Sequence, residues 1–141
     1  MSTKQEAAVL DFLNHFTGGD WPDIDGVVAS FSLDCVCYVL YPTTKPVIGR
    51  EKLKEELVRQ AKTSQTPRSD VKAYASNGQY VFVERVDSFI THGIAHTVAM
   101  NSVFEVNSDN LITAWREYFD SGDVARQLHM SADDMGKLLQ G

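Results

Sequence analysis

The apolar positions of this chain change their period partway along. From Glu6 to Phe16, Val9, Leu10, Leu13 and Phe16 recur at three- and four-residue spacing, which predicts a helix ended by Thr17-Gly18-Gly19-Asp20. A second helix opens around Pro22-Asp23, where proline and acids suit a first turn, and carries Ile24, Val27, Val28 and Phe31. Cys35 to Tyr41 is β-rich and closes at Pro42-Thr43-Thr44-Lys45-Pro46. Gly49-Arg50 leads into a third helix over Glu51 to Lys62, striped by Leu53, Leu57, Val58 and Ala61. Thr63 to Ser69 is polar, contains Pro67 and reads as a loop. Beyond it the period becomes two. Strands are expected over Val71–Ala75, Tyr80–Ile90, Ala95–Val106 and Leu111–Phe119. Turns fall at Ser76-Asn77-Gly78, Thr91-His92-Gly93 and Asn107-Ser108-Asp109-Asn110, and a short helix begins at Asp120-Ser121-Gly122-Asp123. Helices gathered ahead of a meander of long strands predict one α+β domain over residues 1–141, its sheet curling around the helices.

Two strands break their own pattern. In Tyr80–Ile90, alternation puts Val81, Val83, Arg85, Asp87 and Phe89 on one face, so an Arg and an Asp point into apolar company. In the last strand Thr113, Trp115, Glu117 and Phe119 share a face, again with one ionisable group among large apolar neighbours. Between them, Val98, Met100, Ser102 and Phe104 share a face. If the three inner faces coincide, Arg85, Asp87 and Glu117 meet in a pocket walled by Phe89, Val98, Met100, Trp115 and Phe119. Buried charges are costly unless paired. Two carboxylates on one guanidinium suit acid–base work, since burial and like-charge repulsion hold a proton on one of them. The alternative is an ion-pair cluster that only fixes strand register.

Leu13 and Phe16 are candidates for the pocket wall, although core packing explains them equally well. His96 shares the parity of Val98 and Met100 and is a candidate for the pocket rim; as a turn histidine it would instead be solvated. With no third ligand in reach of His92 and His96, a metal site is not expected. His15 and His129 read as structural or exposed. Cys35 and Cys37, two apart on one strand face, read as small packing residues rather than a disulfide or zinc pair.

Composition narrows the partner. A net charge of −6 argues against nucleic acid or an anionic membrane surface. No apolar run approaches the roughly 20 residues of a membrane-spanning helix, and Met1-Ser2-Thr3-Lys4-Gln5-Glu6 has no signal-peptide core, so a cytoplasmic location is expected. On the outer sheet face Phe82, Val86, Val103, Ile112 and Tyr118 form a semi-apolar surface suited to a homodimer.

Glu84-Arg85-Val86-Asp87, then Ser102-Val103-Phe104-Glu105-Val106, then Ile112 to Asp120 with its Trp115-Arg116-Glu117-Tyr118-Phe119 core, resemble the limonene-1,2-epoxide hydrolase family. The likeness extends to the early helices, to Tyr38 before the Pro42 turn and to Gly49-Arg50. It implies a cone-shaped fold of the SnoaL-like, NTF2-like group, with a curved mixed or antiparallel sheet around N-terminal helices. It also implies a cofactor-free enzyme that opens the epoxide of a small apolar substrate, terpenoid or polyketide-like, with water. Carried over by position, Glu117 is the base, Asp87 the acid, Arg85 the bridge and Tyr38 a water-holding hydroxyl. Two positions depart from the family pattern. Glu117 stands where aspartate is usual, and one methylene moves a carboxylate by about 1 Å, a scale to which catalysis responds. Leu40 stands in the pocket position of a water-holding asparagine and cannot hold water. The same pocket also suits an isomerase, dehydratase or cyclase of the ketosteroid-isomerase-like or SnoaL-like kind, which relays a proton within its substrate. A non-catalytic ligand-binding module of the same fold is the third reading.

Overall fold

A computed structural model of the protein describes residues 3–39 and 45–140, with side chains through 138. Leu40, Tyr41 and the turn expected at Pro42–Thr44 lie outside the described residues. Three helices come first, interleaved with two strands: α1 (Lys4–Asn14), α2 (Ile24–Val28), β1 (Phe31–Tyr38), β2 (Val47–Ile48) and α3 (Arg50–Thr63). The meander β3 (Ser64–Asn77), β4 (Tyr80–Thr91), β5 (Ile94–Val106) and β6 (Ile112–Phe119) follows, then α4 (Ser121–Leu128) and α5 (Ala132–Gln140). The six strands form one mixed sheet in the order β2-β1-β6-β5-β4-β3. β1 runs parallel to β6, and all other neighbours are antiparallel. Among the described residues no helix is long and apolar enough to cross a membrane.

Local chemistry explains the boundaries. Thr3 and Glu6 form a reciprocal capping box that starts α1. Arg50 donates from its guanidinium to the Phe31 carbonyl, which ties the start of α3 to β1. His92 (φ 52°) and Gly93 (φ 76°) make the two-residue β4–β5 hairpin, whose twist demands left-handed backbone at both positions. His129 (φ 56°) ends α4 and turns the chain into α5.

The structure corrects the expected elements in four places. The polar loop expected over Thr63–Ser69 is the first part of β3, which pairs with β4 from Ser64 onward. The register shift between Gln65 and Arg68 accommodates Pro67, and β3 is an edge strand, so a missing N–H there costs no ladder bond. The second helix stops at Val28, because Phe31 already pairs with Ile112 as the first residue of β1. Ile112 itself is fully buried rather than on the outer face. A bulge at Thr113, between the Glu105–Ala114 and Val106–Ile112 pairs, inserts one residue and reverses its direction. The chain after α4 forms α5, a further helix.

The inner face of the sheet packs on α1. Phe12 contacts Phe16, Phe31, Phe104 and Trp115 edge-on, with ring centroids 5.0–6.0 Å apart. Cys35 and Cys37 are both free, fully buried members of this core. Hydrogen bonding and burial push the Cys37 thiol far up. A second apolar cluster joins Val98, Val124, Ala125, Leu128 and Met135 under α4 and α5. A cavity of about 160 Å³ touches both clusters.

Candidate active site

Period-two alternation persists through β4 without a bulge in its pairing to β5, so Arg85 and Asp87 face inward beside Val83. Glu117 faces inward from β6, opposite Ser102 of β5. The three charged side chains are brought together: Arg85, Asp87 and Glu117 are only 2%, 7% and 3% exposed.

Arg85 Nε donates to Asp87 Oδ1 at 3.0 Å, and Nη2 donates to Glu117 Oε1 at 2.5 Å. Arg85 Nη1 donates to the Ser102 hydroxyl, which donates in turn to Glu117 Oε2. Ser69 Oγ donates to Asp87 Oδ1 at 2.7 Å. One guanidinium and two hydroxyls thus hold two carboxylates in fixed geometry.

The electrostatics are unequal. Burial raises the Glu117 pKa above the usual carboxylate value, and Asp87 raises it further, against the lowering effects of Arg85 and Ser102. Burial alone would lower the pKa of Arg85, but Glu117 and Asp87 outweigh it and hold the guanidinium charged. Two anions and one cation leave an excess of one negative charge in an apolar chamber. A single proton on the pair neutralises it. Such an arrangement can both donate and accept a proton.

The walls are apolar. Leu13, Phe16, Phe89, Val98, Met100, Trp115 and Phe119 line the cavity, as does His96. His96 is buried, stacks on Phe89 at 5.8 Å and donates from Nδ1 to the Ile94 carbonyl (3.3 Å). Burial lowers its pKa, so a neutral ring forms part of the wall and the solvated alternative does not hold. Among the described residues no three His, Cys, Asp or Glu side chains are grouped as a metal ion would require.

Tyr38 is not brought to the cluster. It pairs in register with Arg116, whose guanidinium binds Glu105 away from the chamber, while its neighbour Cys37 pairs with Trp115 on the inner face. Val39, one residue on, lines the chamber instead. The inward direction of Cys35 and Cys37 carried this signal in the sequence, since alternation then turns Tyr38 outward. Ser102 was visible as a polar residue at an inward position but lacked a charge to flag it. Ser69 was hidden in a segment without strand signals. Trp21, from the connection between α1 and α2, and Val124, Leu128, Met135 and Leu138 of α4 and α5 also line the chamber, and only tertiary packing reveals this.

A family model described as the limonene-1,2-epoxide hydrolase catalytic domain matches residues 4–130. Among solved structures, the chain is similar to an LEH-like epoxide hydrolase of M. tuberculosis at 27% identity and TM-score 0.75, with 91% of each chain covered. It shares its fold with a hypothetical protein of ketosteroid isomerase-like fold from Catenulispora acidiphila, solved with trimethylamine. That match has 18% identity, TM-score 0.75 and coverage of 89% of this chain and 95% of the other. It also shares its fold with SalBIII, an epoxide hydrolase/cyclase-like enzyme of pyran ring formation in salinomycin. There the identity is 14%, the TM-score 0.74 and the coverage 85% of this chain and 93% of the other. Comparison with curated proteins gives no match.

Proposed function

We propose, for a chain that belongs to the limonene-1,2-epoxide hydrolase family, that it opens the epoxide of a small, mostly apolar molecule by direct attack of water. The observation that carries this reading is Arg85 held between Asp87 and Glu117 in an apolar chamber. The likeness to the M. tuberculosis epoxide hydrolase supports it.

In this reading the productive state carries the pair's proton on Asp87, which the burial of Glu117 opposes and the bonds to Glu117 from Arg85 and Ser102 favour. Ionised Glu117 then removes a proton from water as the water oxygen attacks one epoxide carbon. Asp87 delivers a proton to the epoxide oxygen as the carbon–oxygen bond breaks. A positioned acid and base of this kind contribute roughly 10²–10⁴-fold each. Arg85 keeps the carboxylates apart and stabilises the charge that develops between them. The raised pKa of Glu117 makes it a stronger base toward water once ionised. After one turnover the proton sits on Glu117 and must return to Asp87, and the Arg85–Ser102 bridge keeps both within one hydrogen-bonded unit.

Val39 in the chamber, with Tyr38 turned outward, favours a second reading. Among the described residues no tyrosine lines the chamber. With no such hydroxyl to anchor water, the same acid and base would pass a proton within the substrate, as in isomerisation, dehydration or cyclisation. A panel of apolar epoxides tests the choice. Diol formation that collapses in both Asp87→Asn and Glu117→Gln supports hydrolysis; survival in both variants contradicts the assigned roles. Rearranged or cyclised product without diol supports the second reading, and binding without turnover supports a ligand-binding module. The outer sheet face, with Phe82 44% and Tyr118 48% exposed, supports pairing of two copies.

A further inference from the structure

The cavity's lining has two origins. Its charged residues lie on β4 and β6, within the residues that the family model matches. Another part of the lining comes from α5, which lies beyond residue 130. Met135 and Leu138 of α5 both line the cavity, and Met135 is only 3% exposed. Met135 packs in one cluster with Val98, Val124 and Leu128, against Phe89, Met100 and Phe119.

Strand register shows how near this cluster is to the chemistry. Val98 is the cross-strand partner of Asp87, and Met100 is the partner of Arg85. Met135 therefore belongs to the same apolar cluster as the cross-strand partner of the acid. Met135 and Leu138 are thus among the walls that a molecule with its reacting atoms at Asp87 and Glu117 meets.

α5 is held firmly enough to act as a wall. Its first turn is capped by Ser131, whose Oγ accepts from the Asp134 amide at 3.0 Å. The left-handed His129 fixes the direction in which the helix leaves α4. At its far end Arg59 Nη1 donates to the Leu138 carbonyl at 3.1 Å, while the same guanidinium is forked onto Glu56. The guanidinium of α3 thereby fastens α5 across the cavity.

We propose that α5 sets the length of substrate the chamber accepts, and that Met135 is its specificity-determining residue. This rests on the reading above only in placing the reacting group at the carboxylates. The substrate class it implies is a compact apolar molecule whose oxygen function sits at one end.

Calorimetric binding of straight-chain primary alcohols of increasing length tests this without requiring turnover. Each hydroxyl can bond to the carboxylate cluster while the chain extends toward α5. In Met135→Ala the length of tightest binding should increase by roughly two to three methylenes, each worth about fourfold in affinity. In Met135→Trp it should shorten. A variant that keeps the wild-type melting behaviour and the wild-type length optimum overturns the proposal, and Met135→Trp serves if Met135→Ala fails to fold. Failure of the wild type to bind any alcohol overturns the chamber as a ligand site and both readings with it. A length optimum that moves while no epoxide is hydrolysed supports the role of Met135 and overturns hydrolysis alone.

Discussion

At the scale of single residues, Glu117 is a buried carboxyl whose affinity for a proton differs between the native and unfolded states. Its raised pKa means that the native state binds more protons than the unfolded chain between pH 4.5, the usual value, and the higher native value. The contribution to stability is fully present below pH 4.5 and is lost as pH rises through the native pKa. Glu117→Gln removes this loss and leaves Arg85 matched by Asp87 alone. Denaturant unfolding should show the variant gaining on the wild type as pH rises from 4.5 toward neutral. Equal differences at all pH values would contradict this. Turnover should show the opposite cost, because glutamine cannot accept the proton. Ser102 tunes the same group. Its hydroxyl lowers the Glu117 pKa, so Ser102→Ala should move the acid limb of kcat/KM to higher pH. An unmoved limb would remove Ser102 from this role.

At the scale of elements, the β4–β5 hairpin carries a local cost that can be relieved. His92 has a left-handed backbone, which costs a side chain with a Cβ about 1–2 kcal/mol, less where a short polar side chain bonds locally. His92→Asn should therefore stabilise the protein by a few tenths to about 1 kcal/mol, measured by the denaturant midpoint. What the sequence revealed and concealed also divides by element. The inward direction of Arg85, Asp87 and Glu117 was legible because β4 and the later part of β6 alternate without interruption. Ile112 was misplaced because the bulge at Thr113 has no distinctive residue to announce it. The start of β3 was illegible because an edge strand accepts Ser, Gln, Thr and Pro in place of the β-branched residues of a central strand. The wall formed by Val124, Leu128 and Met135 depends on how α4 and α5 fold back, and no local pattern states that.

At the scale of the whole molecule, the two faces of one sheet differ in what they bury. The inner face buries the aromatic core around Phe12 and holds the charged trio at its border with the cavity. The outer face leaves Phe82, Tyr118 and Tyr80 exposed. If two copies pair through this face, Phe82→Glu should shift the sedimentation coefficient from dimer to monomer while the melting profile stays cooperative. A wild type that sediments as a monomer would contradict pairing.

Oxygen labelling follows the nucleophile that meets an epoxide on the inner face. Single-turnover reaction of an apolar epoxide in ¹⁸O-labelled water, with enzyme in excess, should place one labelled oxygen in each diol from the first turnover. Glu117→Gln should form none above the uncatalysed rate. Unlabelled first-turnover diol would mean that a protein carboxylate, not water, attacks the epoxide. Conversion to an isomer or cyclic product without label would mean that Asp87 and Glu117 move a proton within the substrate.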